Sequence, residues 1–542
     1  MQLGDSNFEK LFLSGDEAVA LAALDADVKL GTGYPGTPST EILETFEKLG
    51  GRAQWSPNEK VALEVGIGVS FAGARSLVTM KHVGLNVAAD PLFTVAYTGV
   101  EGALIVVSAD DPGMSSSQNE QDNRRYAVAA GVPMLEPSDS QEAYDFMLRA
   151  IEISEHWHIP VLFRMTTRVC HSKSVVRRGA LIPAANAAHF EHDIRARVMI
   201  PAYARPAHHR LREKLDAIAR WNETSGLTSG LNIHTSASTE LGIITSGICY
   251  QHVREAVPSA SVLKLGMTHP LPTELMRDFA SSVERCLVIE EGDPYMVEAA
   301  RMAGISVEGK SEMYRFGELN VPRVRRIVER DVSPEAKPVP GKPPALCPGC
   351  PHRSVFAALK NLDCYVAGDI GCYSLGVLPP FEAMDSLVCM GAAIGVGLGM
   401  RHVLPPEKAN RVVSVLGDST FVHSGITGLV EMVYNPPPTG HVLLILDNGT
   451  TAMTGLQEHP GTGRTLEHAS TGKVIFEDLA RALGIHNVFV VDPSADPDGF
   501  EAMVRDALAK PELSVIIARR NCLLAAKSIR EYERCHEQQV SH

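Results

Sequence analysis

No stretch of the 542-residue sequence is long and apolar enough to span a bilayer, and the opening MQLGDSNFEK lacks the apolar core of a secretion signal. Cysteine is sparse: ten in this length cannot build a disulfide scaffold, so clustered ones suggest metal or redox chemistry. Positive charge is short as well. Fifty lysines and arginines face 64 aspartates and glutamates, a net −14, which argues against a nucleic-acid or anionic-membrane surface. These absences predict a cytoplasmic globular chain. Its 45% hydrophobic and 21% charged content suits large cores, and its length suits three or four domains.

The most informative stretch is 411–455, RVVSVLGDSTFVHSGITGLVEMVYNPPPTGHVLLILDNGTTAMTG. Val412 to Leu416 is an apolar, β-branched run that reads as a buried strand and stops at Gly417-Asp418-Ser419. A helical pattern follows (Ile426, Leu429, Val430, Val433), broken by Asn435 and three prolines. A second strand, His441 to Leu446, ends at Asp447-Asn448. Polar residues thus stand at the carboxyl ends of two strands of a βαβ unit, where open α/β sheets bind ligands. Asp418 and Asn448 lie 30 positions apart. A carboxylate and an amide oxygen meeting there suit Mg2+, which takes few protein ligands and completes its shell with phosphate oxygens. The bland alternative is an ordinary βαβ unit with a polar turn.

Upstream, strand-like and helix-like segments alternate to about residue 180. Lys29–Tyr34 runs into YPGTPST, a turn before a helix that Thr37 or Ser39 is placed to cap. Asn58-Glu59 opens a small-residue helix that also carries Glu64; a glutamate in a first turn is ordinarily just a good dipole partner. Ser76–Met80 reads as a strand delivering Lys81 and His82 to its carboxyl end, and Ala103–Ser108 as another, ending in Asp110-Asp111-Pro112-Gly113. The loop Ser115 to Arg125 is dense in donors, although such loops are more often simply solvated. Residues 175–240 are irregular apart from a charged helix, Arg205 to Trp221. Residues 241–310 form a compact α/β pattern whose Glu290, Glu291 and Asp293 look structural, and a Pro/Lys linker, Ser333–Pro344, follows.

The last part opens at Cys347-Pro348-Gly349-Cys350-Pro351-His352. A C-x-x-C alone fits a zinc knuckle, a redox pair or half an iron–sulfur site. Cys372 and Cys522 add two more cysteines, while a zinc site would recruit His352 to the first two. Met390 precedes a small-residue helix, where methionine is usually core filler. Gln457 to Gly463 reads as a flexible polar loop that closes over the site.

YPGTPST, NEKVA, KHVGLN, SSQNEQDNR, CPGCPHR, GDIGCYSLG and DNGTTAMTG occur in the order found in the 2-oxoacid oxidoreductases. The set resembles the large (alpha) subunit of the indolepyruvate:ferredoxin branch, and covers most of the chain. The resemblance implies an α/β thiamine-diphosphate-binding fold with two parallel-sheet cofactor domains and a smaller transketolase C-terminal-like domain. They divide as pyrimidine-binding 1–225, transketolase C-terminal-like 226–335 and diphosphate-binding 336–542. It implies thiamine diphosphate and Mg2+, with Asp418, Asn448 and the Thr450 carbonyl as metal ligands and Gly417, Ser419, Ser374 and Met390 around the cofactor. Glu59, with Glu64 as fallback, would activate the aminopyrimidine by pKa tuning, and His82 would join it in catalysis. Thr37, Lys81 and Arg124 would bind the 2-oxoacid, Arg124 by clamping its carboxylate. Ser115 stands where the family pattern carries histidine, which alters the substrate end. Cys347, Cys350, Cys372 and Cys522 would hold a [4Fe–4S] cluster.

The implied reaction is oxidative decarboxylation of an arylpyruvate, with coenzyme A taking the acyl group. A smaller subunit in a dimer of heterodimers and an acceptor such as ferredoxin would serve it. One departure stands out: only twenty residues follow Cys522, without the ferredoxin-like C-x-x-C runs of that subunit. That leaves a non-oxidative decarboxylase or carboligase, or a catalytically silent scaffold, as rival expectations.

Overall fold

Strands apolar on both faces need helices on both sides, and this sequence supplies them. Leu104–Asp110 is buried at every position and lies inside a seven-stranded sheet. The order across that sheet is Met267–His269, Met134–Leu135, Val161–Thr166, Leu104–Asp110, Ser76–Lys81, Leu30–Gly33, Ala53–Trp55. All pairings are parallel except that of Met267–His269 with Met134–Leu135. The computed structural model describes residues 9–182, 188–336, 341 and 343–540; the first eight residues and much of the Ser333–Pro344 linker lie outside them.

A second sheet of four strands, Arg285–Ile289, Leu241–Ser246, Ser261–Leu265 and Ile233–Thr235, forms the core of the region after residue 226. That region also lends Met267–His269 to the first sheet, so the two form one compact unit, Met1–Ala336. The charged helix runs Pro201–Ser225, longer than its sequence pattern suggests, with Pro206 inside it.

The second unit, Lys337–His542, is built on five parallel strands in the order Tyr365–Ala367, Val412–Gly417, His441–Asp447, Leu513–Arg519, Asn487–Val491. Val412–Gly417 is buried throughout. On one face Val413, Val415, Leu444 and Ile516 pack with Phe356 and Phe500; on the other Leu416, Leu443 and Ile517 pack with Phe421 and Phe476. The helix after Gly417 begins with a π turn, Phe421–Gly425, a local widening common at functional sites. Among the described residues no helix is long and apolar enough to cross a membrane.

Candidate active site

In the second unit, the parallel pairing of Val412–Gly417 with His441–Asp447 sets Asp418 beside Asn448. One oxygen of Asp418, Oδ2, accepts the backbone N–H groups of Asn448 (3.1 Å) and Gly449 (2.8 Å); Oδ1 accepts that of Ser419 (2.8 Å). Burial works to raise this carboxyl's pKa, but His459 and the backbone donors outweigh it and hold it below the usual carboxylate range. Among the described residues no lysine or arginine pairs with Asp418; the buried carboxylate is met by His459 and backbone N–H dipoles, with His352 and the Asp447 carboxyl close by. That environment fits a hard cation. Asn448 Oδ1 accepts the Thr450 N–H at 3.1 Å, and Thr451 Oγ1 donates to Ser419 Oγ at 2.9 Å. Gly417 is needed because the Tyr373 ring fills the space a Cβ would take, 2.7 Å away.

Three residues that the sequence reading undervalued shape this site. His352 is buried, and its Nε2 lies 3.3 Å from Asn448 Nδ2. Burial pushes its pKa down to about 4, so the ring is neutral and accepts the amide proton. This turns the Asn448 oxygen away from the histidine. Among the described residues His352 forms no metal-sized cluster with Cys347 and Cys350, which counts against the zinc alternative. His459 accepts the Gly461 N–H on Nδ1 (3.2 Å), which puts its proton on Nε2, 3.3 Å from Asp418 Oδ2. The expected flexible loop is therefore anchored: Gln457, Glu458 and His459 are all buried. Asp369 accepts the N–H groups of Ile370, Gly391 and Ala393, and burial raises it to about 6. It joins the loop bearing Cys372 and Ser374 to the one bearing Met390, which is half-buried just before the helix Ala392–Val403.

Cys347, Cys350, Cys372 and Cys522 are all free. Burial and the three neighbouring thiols push Cys372 up to about 11, and the Cys350 thiol is raised too. The four therefore stand within electrostatic reach of one another. No three of these sulfurs come within 4.8 Å of each other. Tetrahedral zinc with bonds of about 2.3 Å would need all four closer than that; an iron–sulfur cube, whose own atoms fill the centre, holds its thiolates further apart. The Cys522 N–H donates to the Asn448 carbonyl at 2.8 Å, so the last cysteine is tied directly to the magnesium-type site. A cleft of about 400 Å3 opens beside Asp447 and Gly449, walled by Arg464, Lys473 and Tyr532.

In the first unit Glu59 is buried while Glu64 is exposed and paired with Lys60. Gly84 has no side chain where Glu59 sits: a Cβ there would fall 2.6 Å from Glu59 Cγ and Oε1. Lys81 ends the strand Ser76–Lys81, directly before the helix His82–Val87 that carries Gly84, and Gly36 of the YPGTPST turn packs against its Cβ. Its Nζ donates to the Ser116 carbonyl at 2.6 Å, and burial lowers its pKa to about 8. His82 is fully buried; its Nε2 lies 3.2 Å from the Asn119 carbonyl and its Nδ1 has no partner. Thr37 is half-buried at the turn, and Ser39 does not cap the helix: its hydroxyl donates to the Gly36 carbonyl instead. Ser115 uses its N–H on Asp111 at 3.3 Å.

Arg124 is not free to clamp a substrate. Its guanidinium is 1% exposed and is used up by Asp122, by Glu290 (2.6 Å) and by the carbonyls of Glu291 and Asp293. Burial would raise the Asp122 carboxyl, but Arg124 and Arg164 hold it down to about 2. The arginine fastens the first sheet to the region after residue 226.

Residues 369–518 match the C-terminal TPP-binding domain of thiamine pyrophosphate enzymes, and residues 21–195 match the thiamine-diphosphate-binding family of pyruvate flavodoxin/ferredoxin oxidoreductases. Over 565 aligned residues the chain is 39% identical to the indolepyruvate oxidoreductase subunit IorA of Archaeoglobus fulgidus, covering 98% of this chain and 89% of that one. The chain belongs to the indolepyruvate oxidoreductase IorA family. It is also 40% identical to the IorA subunit of Methanothermobacter marburgensis, over 96% of this chain and 88% of the relative. Family membership makes it a thiamine-diphosphate-dependent 2-oxoacid oxidoreductase. In fold it resembles the 2-oxoglutarate:ferredoxin oxidoreductase from Magnetococcus marinus solved with 2-oxoglutarate, coenzyme A and succinyl-CoA bound. The TM-score is 0.51 at 16% identity, over 60% of this chain and 66% of that one.

Proposed function

We propose that the chain is the large subunit of a two-subunit enzyme that oxidatively decarboxylates an arylpyruvate, indolepyruvate or phenylpyruvate, and passes the acyl group to coenzyme A. The observation that carries this reading is the hydrogen bond from Cys522 N–H to the Asn448 carbonyl. It ties a four-cysteine set to the residue that would hold magnesium, an arrangement useful for moving electrons and superfluous in a non-oxidative decarboxylase.

Asp418, the Asn448 amide oxygen and the Thr450 carbonyl would hold Mg2+, with Gly417 and Ser419 beside the diphosphate and Ser374 and Met390 flanking the cofactor. His352 and His459 keep Asn448 and Asp418 oriented. Thiamine diphosphate, when bound, supplies the electron sink for cleaving a 2-oxoacid carboxylate. Glu59 holds and exchanges a proton at the aminopyrimidine, shielded from water beside Gly84; His82 serves as a second proton carrier. Lys81 offers its ammonium to the substrate carboxylate, with Thr37 beside it. Cys347, Cys350, Cys372 and Cys522 would hold a [4Fe–4S] cluster, which would supply one-electron transfer. A smaller partner subunit and an acceptor such as ferredoxin complete the path, in a dimer of heterodimers.

The test is an anaerobic assay of the purified complex with phenylpyruvate or indolepyruvate, coenzyme A and a one-electron dye. Acyl-CoA with two dye equivalents reduced per carbon dioxide supports the reading. Aldehyde or acyloin formed at the same rate without any acceptor overturns it in favour of the non-oxidative enzyme.

A further inference from the structure

Away from the residues above, three helix ends in the first unit converge on a polar cluster. Asp16 is the second residue of the helix Gly15–Asp25, Glu41 sits in the first turn of Thr40–Lys48, and His171 ends Thr167–His171. One ligand atom from each lies within 4.8 Å of the other two. Asp16 is 0% exposed, and among the described residues neither of its carboxylate oxygens has a nitrogen or oxygen donor as partner.

An acidic residue in a first helical turn is ordinarily there for the N–H groups of that turn. Here that work is already done. Ser14 Oγ accepts the Glu17 N–H at 3.2 Å, and Glu17 Oε2 accepts the Ser14 N–H at 2.8 Å, a complete capping box without Asp16. The thiol of Cys170 stands beside the carboxyl but is a weak donor. Burial, and then the charge of Glu41, push Asp16 well above the usual carboxylate range. A buried carboxylate next to a second carboxylate, with no lysine or arginine paired to it among the described residues, requires either a proton or a metal ion.

We propose that Asp16, Glu41 and His171 form a divalent metal site of the zinc class, separate from the thiamine centre. Two carboxylates and one imidazole are the donor set of zinc and its neighbours; magnesium and calcium prefer oxygen alone. Glu41 and His171 are exposed, which gives the ion an entry path and leaves coordination positions for water. Glu41 lies four residues beyond Thr37 on the helix that opens directly after the YPGTPST turn, so a bound ion would brace that turn from its solvent side.

The experiment uses the full-length protein, stripped with chelator and then saturated with thiamine diphosphate and Mg2+, so that the Asp418 site is filled. Zn2+ is titrated calorimetrically into wild type, Asp16→Asn and His171→Gln. Any zinc taken by the four cysteines appears equally in all three. Wild type is expected to bind one zinc equivalent per chain more than either variant, and crystals soaked in zinc should show an anomalous peak between Asp16 and His171. Equal stoichiometry in all three proteins overturns the proposal and leaves Asp16 simply protonated. His171→Gln, a surface change, keeps the comparison meaningful if Asp16→Asn folds poorly. Zinc uptake is read without turnover, so it stands or falls independently of the proposed reaction.

Discussion

Nε2 of His352 lies 3.3 Å from Nδ2 of Asn448, and the ring is held neutral by burial. A neutral imidazole can accept the amide proton, so it fixes which end of Asn448 is offered to the metal. Outer partners of this kind commonly govern metal affinity by about 10- to 100-fold. His352→Ala should weaken Mg2+ and thiamine diphosphate binding by roughly that factor, whereas His352→Gln, which keeps an acceptor, should lose less. Cofactor titration followed by tryptophan fluorescence checks both. Equal, wild-type affinities would remove His352 from the site.

The same asparagine receives the Cys522 N–H through its carbonyl. If the four cysteines hold a cube, anaerobically purified protein contains about four iron and four acid-labile sulfide per chain. Cys522→Ala should abolish that iron while thiamine diphosphate still binds, because the hydrogen bond to Asn448 comes from the backbone. The acceptor-dependent rate should fall with the iron. Full iron content in Cys522→Ala would show that the late cysteine is no ligand.

Much of this was legible in the sequence, and the reason is local. The strands ending at Asp418 and Asn448 are short apolar runs closed by turn residues, and parallel pairing of consecutive strands then makes their tips neighbours. That Glu59 is buried and Glu64 exposed shows only in the fold, where Gly84, some 25 positions on from Glu59, leaves room for its carboxyl. His352 shows the same limit. Its nearest chemistry along the chain is Cys350, yet its side chain meets Asn448, 96 residues on.

Glu59 gives the next expectation. Glu59→Gln preserves shape and removes the exchangeable acid. Turnover should drop by about 10²- to 10⁴-fold, the usual share of a positioned acid–base group, with thiamine diphosphate still bound. Gly84→Ala should reproduce part of the loss, since the new methyl would stand 2.6 Å from Glu59 and must displace it. Steady-state rates beside cofactor content in the purified variants separate lost chemistry from lost binding.

Lys81 predicts a pH dependence. Its pKa is lowered to about 8 because burial outweighs the pull of Asp111. Between about 8 and the ordinary 10.5 the folded protein therefore holds fewer protons than the unfolded one. The cost of the buried ammonium is full below pH 8 and fades as pH rises toward 10.5. Binding a substrate carboxylate needs the charged form, so kcat/KM should decline as pH passes about 8. Lys81→Arg, charged throughout, should flatten that limb of the profile, and an unchanged limb in this variant would assign it to another group.

Arg124 separates a structural arginine from a substrate clamp. Asp122, at 4% side-chain exposure, and Glu290, at 1%, both depend on its guanidinium, and removing one member of a buried ion network typically costs about 3–5 kcal/mol. Arg124→Met should therefore lower the urea midpoint sharply. Since the bonds Arg124 donates go to Asp122, Glu290 and the carbonyls of Glu291 and Asp293, whatever Arg124→Met protein remains folded at low temperature should show a nearly unchanged KM for the 2-oxoacid. A substrate clamp would give the reverse: a large rise in KM with stability preserved. Arg124→Lys sharpens the contrast, because one ammonium can neutralise charge but cannot reach Asp122, Glu290 and two carbonyls at once. The lysine variant should lose most of the stability that methionine loses, and equal stability of Arg124→Lys and wild type would mean that charge alone, rather than the geometry of the fork, fastens the two sheets.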